Sequence, residues 1–211
     1  MKNQIAVGGS AANPPHIGHL ALLKALLATD RFSKVMWIPS GHRPDKPGFI
    51  GPEHRVFMTK LTFNELQQKD KRLLVNLSDV YGENMPTIKW LEILSAQNPT
   101  TEIIWYTGID SVIPLNRFQG KCEIEARWQQ GEKLIKNYKF LIIPRAGFPH
   151  PSQIQIPLQN FEILDVELPN IASTTIRQLI DNGNPDFQKF VTPDVAEYIE
   201  EKKLYQLKGG R

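Results

Sequence analysis

Short apolar runs alternate with stretches of helical spacing along most of this chain. Ile5-Ala6-Val7 is apolar and is followed by Gly8 and Gly9, and from Gly18 to Ala28 the apolar positions recur at helical spacing. Val35-Met36-Trp37-Ile38 reads as a buried strand closed by Pro39-Ser40-Gly41. Residues 53–67 read as a helix and Leu73-Leu74-Val75 as a strand. Pro86 suits the first turn of a helix running to about Ala96, which Asn98-Pro99 ends. Glu102 to Thr107, with Ile103, Ile104 and Trp105, returns as a strand. A helical stretch over residues 124–135 leads to a strand at Phe140–Ile143. The proline-rich residues 147–160 read as a long loop, Phe161–Val166 as another strand, and the C-terminal third as helical. Such alternation predicts a doubly wound α/β fold, a parallel sheet with helices on both faces and a helical C-terminal part.

At 211 residues the chain fits one ordinary domain, expected over residues 1–207, with a frayed tail at 208–211. A hydrophobic fraction of 41% and a charged fraction of 22% exclude a disordered or fibrous class. Apolar runs such as Phe140–Ile143 are far too short to span a bilayer, so no membrane partner is expected. The opening MKNQIAVGG lacks the apolar core and cleavage site of a signal peptide. Cys122 is the only cysteine, which rules out an intramolecular disulfide and a CxxC site. A cytoplasmic protein is the simplest expectation. The formal charge of +3 suits an anionic small-molecule substrate as well as weak nucleic-acid contact. No Lys/Arg block points to nucleic acid, and most individual basic residues read as solvated surface.

The candidate chemistry lies in VGGSAANPPHIGHL, residues 7–20. Gly8 and Gly9 are expected to let the backbone turn sharply and approach a ligand with no Cβ in the way. Pro14-Pro15 stiffens the loop, and the helix near Gly18 would point its free N–H groups and positive dipole end at the same crevice. His16 and His19 sit on one face at that helix start, an arrangement suited to gripping phosphate. Metal ligation is the competing reading, but Cys122, His42, His54 and His150 supply no third-ligand motif, so no metal site is expected. Capping or core packing is the other reading for the histidine pair. The GxGxxG fingerprint is absent, which disfavours an ordinary dehydrogenase.

GGSAANPPHIGHL resembles the GGxFxPxHxGH signature of a nucleotidyltransferase superfamily whose HxGH element also occurs in class I aminoacyl-tRNA synthetases. The resemblance is strongest to the nicotinate (or nicotinamide) mononucleotide adenylyltransferases and runs along nearly the whole chain. Thr107-Gly108-Ile109-Asp110 is similar to that family's GxD, and Trp128 followed by Pro144-Arg145-Ala146-Gly147 to its W…RxG order. Ile171-Ala172-Ser173-Thr174-Thr175-Ile176-Arg177 resembles ISSTxIR with Ala172 for the first serine, and the ending through Leu204-Tyr205 is also similar. Two segments depart. The family's PPHK is here His42-Arg43-Pro44-Asp45-Lys46, and its SYTxxTL keeps only Thr87 and Leu91 within Met85–Leu91.

The resemblance implies a Rossmann-like fold and transfer of the adenylyl group of ATP to nicotinate mononucleotide, with nicotinamide mononucleotide as an alternative acceptor. The products would be a dinucleotide of NAD biosynthesis and pyrophosphate. His16, His19 and Arg177 would be the catalytic residues, with Gly8, Gly9, Ser10, Gly108, Asp110, Ser173 and Thr174 binding ATP. Lys46, Thr87 and Trp128 would bind the mononucleotide, and Mg²⁺ would arrive with ATP, held mainly by phosphates and water. Asp110 could instead be a helix cap, Ser173-Thr174 a plain N-cap, and Trp128 a core residue, the commoner fate of tryptophan. Rival functions are a pantetheine-phosphate adenylyltransferase, a synthetase fragment sharing HIGH, and a nucleotide-binding module impaired in catalysis.

Overall fold

The computed structural model describes residues 3–42 and 48–206. Six strands form one sheet: β1 (Gln4–Ser10), β2 (Lys34–Pro39), β3 (Leu73–Val75), β4 (Glu102–Gly108), β5 (Lys139–Ile143) and β6 (Phe161–Ile163), in the order β3-β2-β1-β4-β5-β6. The pairs β1–β4, β4–β5 and β5–β6 are parallel, with Ile5 opposite Ile103, Trp105 opposite Phe140 and Phe140 opposite Phe161. The helices are α1 (Ile17–Ala28), α2 (Pro52–Lys69), α3 (Thr87–Gln97), α4 (Glu123–Arg127), α5 (Gly131–Asn137), α6 (Ser173–Asp181) and α7 (Pro193–Glu201). This is the doubly wound α/β arrangement that the alternation predicts. The buried run of β5 shows why, because parallel strands covered on both faces need near-continuous apolar sequence. No helix among the described residues is long and apolar enough to cross a membrane.

The chain divides into two compact units, and each has its own core. The first holds residues 1–8, 25–36 and 85–168. Its core includes Ile5, Val7, Ile104, Phe140, Leu141, Ile142, Ile124 and Leu134. The second holds residues 9–24, 37–84 and 169–211. There Met58, Ile176, Ile180, Phe187, Val195, Ile199, Leu204 and Tyr205 form one buried cluster. Helix α2 belongs to it: Arg55, Met58, Thr59, Thr62 and Phe63 recur at helical spacing and are all buried. Pro52 and Glu53 open that helix and Lys69 ends it, in accord with the macrodipole.

Three local expectations differ from the structure. The helical stretch 124–135 is two helices, because Gln130 adopts a left-handed φ of 54° and α5 starts hard against α4. A Cβ on Gly131 would lie 2.1 Å from the Ile124 carbonyl oxygen. Pro86 caps α3 from outside, with Thr87 as its first residue. The strand at 161–166 ends at Ile163, since β6 is an edge strand with three register partners on β5. The tail at 208–211 lies outside the described residues.

Candidate active site

In the second unit the chain leaves β1 at Ser10 and enters α1 at Ile17. Strand β1 continues through Gly8 and Gly9, so the expected sharp turn is absent. The glycines are required by neighbouring strands instead. A Cβ on Gly9 would lie 1.8 Å from the Ile38 carbonyl oxygen, and one on Gly8, in the first unit, 2.5 Å from the Tyr106 ring. The Ser10 hydroxyl accepts the Ala12 N–H at 3.0 Å and tightens the start of the loop. Ala12 itself holds a left-handed φ of 49°.

His16 precedes α1, and its carbonyl accepts the N–H groups of His19 and Leu20. The two imidazoles stack, with centroids 3.6 Å apart and an interplanar angle of 20°. The His16 N–H reaches His19 Nδ1 at 3.2 Å, which makes that nitrogen an acceptor and puts the ring proton on Nε2. Trp37 also packs against His19, with centroids 4.9 Å apart and the planes tilted by 60°. The expected pair on one face is therefore a stacked and oriented pair.

Helix α6 is tied to the same loop. Its N-cap is Ala172, with no side-chain cap, so Ser173 is not the plain N-cap that its type suggests. The Ser173 hydroxyl donates to the Pro14 carbonyl at 2.9 Å, and Arg177 Nη1 donates to the Asn13 carbonyl at 2.8 Å. Arg177 Nη2 approaches the exposed Thr174 hydroxyl at 3.5 Å. Burial lowers the Arg177 pKa from its ordinary value, opposed by the neighbouring Tyr205; a guanidinium stays charged throughout. Ser10, His16, His19, Ser173, Thr174 and Arg177 thus belong to one unit, with α6 bonded directly to the histidine loop.

Two buried residues, Asn13 in this loop and Arg55 on α2, have no role in the sequence reading. Asn13 is 2% exposed: its amide donates to the Gly48 carbonyl at 2.9 Å and accepts from the Tyr205 hydroxyl at 3.0 Å. Arg55 is 1% exposed. Its Nη1 donates to the carbonyls of Ser40 at 2.7 Å and Ala11 at 3.2 Å, and its Nη2 to that of Val80 at 3.2 Å. Burial lowers its pKa as well. A cation in phase with the buried face of α2 was the available signal for Arg55, and it overturns the solvated-surface reading there.

Gly108, Asp110, Thr87 and Trp128 lie in the first unit. Gly108 precedes a 3₁₀ turn at Ile109–Ser111, and the Asp110 carboxylate folds back over it, 2.3 Å from where a Cβ would stand. Asp110 Oδ2 accepts from Arg145 Nη1 at 3.1 Å, so the RxG arginine and the GxD aspartate form one pair. Trp37, Trp90 and Trp105 are buried core residues, whereas Trp128 is half-buried at the break between α4 and α5. Core packing therefore accounts for three tryptophans and leaves Trp128 as the exception. Thr87 opens α3, whose N-cap Pro86 supplies no side-chain acceptor. Lys46 lies outside the described residues. Among the described residues no group of three or more His, Cys, Asp or Glu side chains could hold a metal ion.

The family profile described as cytidylyltransferase-like matches residues 7–179, which takes in the histidine loop, the GxD turn and α6 through Arg177. The chain belongs to the cytidylyltransferase-like family. It is a nucleotidyltransferase. A protein of Synechococcus sp. named probable nicotinate-nucleotide adenylyltransferase is 27% identical over 210 residues, covering 96% of each chain. A protein of the same name from Leifsonia xyli is 29% identical over 208 residues, covering 96% of this chain and 94% of its own. Among solved structures, the Plasmodium falciparum nicotinic acid mononucleotide adenylyltransferase complexed with APC superposes with a TM-score of 0.77 at 21% identity. That match covers 96% of this chain and 97% of the other, and at such identity it shows the fold.

Proposed function

We propose that this nucleotidyltransferase moves the adenylyl group of ATP onto nicotinate mononucleotide, with nicotinamide mononucleotide as the weaker acceptor. A phosphate oxygen of the mononucleotide attacks the α-phosphorus of ATP, and the bond from that phosphorus to the bridging oxygen of pyrophosphate breaks. The reaction needs positioning and charge neutralisation and no protein nucleophile. The observation that carries the reading is the oriented histidine pair. His19 presents an Nε2–H donor at the start of α1, its ring fixed by His16 beneath and by the His16 N–H at Nδ1. Arg177 extends from α6, which is bonded to the same loop, with a fork suited to the departing pyrophosphate. The first-turn N–H groups of α6, without a side-chain cap, suit its β- and γ-phosphate precursors.

Asp110, oriented by Arg145, would accept hydrogen bonds from ribose hydroxyls. Mg²⁺ would come with ATP. Phosphate oxygens and water would hold most of its coordination sites. Support for the acceptor comes from the relatives' names and from a Plasmodium falciparum neighbour structure complexed with NaAD. A carboxylate on the pyridine ring gains more from backbone donors than an amide oxygen does. The first turn of α3 behind Pro86, with Thr87, offers such donors, and the half-buried Trp128 offers a ring to stack on. Lys46 keeps its acceptor role on the resemblance alone.

Pyrophosphate release with ATP and each mononucleotide in turn tests the proposal. Turnover with nicotinate mononucleotide at the higher kcat/KM is expected. Turnover only with another acceptor, such as phosphopantetheine, or ATP binding without turnover, would replace the proposal with one of its rivals.

A further inference from the structure

The contacts that hold the histidine loop include one from the far end of the chain. Tyr205, beyond α7, is buried, and its hydroxyl reaches Asn13 Oδ1 at 3.0 Å across 192 positions. Asn13 also accepts the Ile50 N–H through Oδ1 at 3.4 Å and donates through Nδ2 to the Gly48 carbonyl at 2.9 Å. These two backbone partners fix which end of the amide is which, since a flip would set N–H against N–H and oxygen against oxygen. Tyr205 must then be the donor. Burial pushes its pKa up, against the opposing pull of Arg177 and Arg55, so the hydroxyl keeps its proton at working pH.

The backbone carries a second, independent sign. Ala12 and Tyr205, at the two ends of this hydrogen-bonded junction, both hold left-handed φ values, 49° and 64°. That region is uncommon for residues with a Cβ, and here it falls on both sides of one junction. Asn13 in turn presents its own carbonyl to Arg177 Nη1 at 2.8 Å. One buried asparagine therefore joins the histidine loop to residues 48–50 and the C-terminal segment through its side chain, and to the arginine through its backbone carbonyl.

Given the adenylyl-transfer reading above, we propose that Tyr205 is a positioning residue. It holds the Asn13 amide, and through it the carbonyl that aims the Arg177 guanidinium, without touching substrate. The test compares Y205F with Y198F. Y205F removes the hydroxyl and keeps the ring. Y198F removes another hydroxyl of the C-terminal segment, one that meets His54 Nδ1 at 2.9 Å and has no bond to the loop. ATP affinity by calorimetry, kcat and both KM values, hydrogen exchange of the Gly48–Ile50 amides and urea midpoints are measured for each. Y205F is expected to weaken ATP binding and raise the KM for ATP by about three- to tenfold, the scale of one hydrogen bond. Faster exchange at Ile50 should accompany it, while Y198F stays within twofold of wild type in all ligand readouts. The double variant N13A/Y205F should be no worse towards ATP than N13A alone.

Wild-type ATP affinity and Ile50 exchange in Y205F, losses that multiply in N13A/Y205F, or an equal effect of Y198F would each overturn the positioning role. If wild type binds ATP but does not release pyrophosphate, the functional reading fails, and the ATP affinities and exchange rates still decide the role of Tyr205. A wild-type chain that does not bind ATP overturns both. Should Y205F not fold, N13A is compared with Y198F by the same criteria and reads the junction from its other side.

Discussion

Arg55→Met removes the guanidinium that joins three backbone segments of the second unit and leaves a side chain of similar length. The carbonyls of Ala11, Ser40 and Val80 each lose a charged donor at 2.7–3.2 Å, and the cation leaves the face of Phe49, 4.2 Å from the ring centroid. Hydrogen bonds to a charged group contribute about 1.5–3 kcal/mol each, so three of them bound the loss at roughly 4.5–9 kcal/mol. The variant also regains the several kcal/mol that burying a cation costs. The difference is a net destabilisation of about 2–4 kcal/mol, against a typical total stability of roughly 5–15 kcal/mol. Urea unfolding reads this as a lower midpoint at unchanged slope. The KM for ATP should rise as well, because Ala11 lies in the histidine loop, five residues before His16. Arg55→Lys should fall between the two, since an ammonium cannot span the fork. A wild-type midpoint in Arg55→Met would refute the three-carbonyl account of this residue.

Three further outcomes are expected. His19→Ala should lower kcat by about 10²–10³-fold, the usual loss for one transition-state donor, with an unchanged circular dichroism spectrum; near-normal turnover would remove His19 from the mechanism. Trp128→Ala should raise the KM for the mononucleotide and leave that for ATP nearly constant, because stacking serves only the acceptor; equal effects on both would return Trp128 to a packing role. Burial alone would raise the Glu162 pKa, but its hydrogen bonds with Lys139 and Arg31 outweigh that and lower it. A carboxyl depressed in the folded state adds stability above its unfolded pKa, near ~4.3, and loses it as pH falls through the lower folded value. The Tm gap between wild type and Glu162→Gln should therefore be present at pH 6 and shrink below about pH 4.3, whereas a gap constant down to pH 3 would contradict that coupling.

The order of strands and helices was legible in the chain because burial on both faces of a parallel sheet demands continuous apolar runs, as in Phe140–Ile143, and β5 appears there. Boundaries that depend on backbone contacts were not. The break at Trp128 follows from how closely α5 abuts α4, and the end of β6 from how many residues of β5 stand beside it. The motifs gave candidates for the site in the same way: His16, His19, Ser173 and Arg177 could be named from HxGH and STxIR. Their mutual arrangement could not. That His19 carries its proton on Nε2 depends on a backbone N–H three residues away, and that Ser173 holds Pro14 rather than capping its own helix depends on a loop 159 positions distant. The structure also adds a reason for Gly8 and Gly9, room for Tyr106 and Ile38 in place of a sharp turn. Asn13, Arg55 and Tyr205 belong wholly to the tertiary structure. Residue type alone reads an asparagine before proline as a turn, an arginine as surface and a terminal tyrosine as packing. Only folding removes water from their polar atoms, and an amide or guanidinium without water must find carbonyls and hydroxyls brought from elsewhere in the chain.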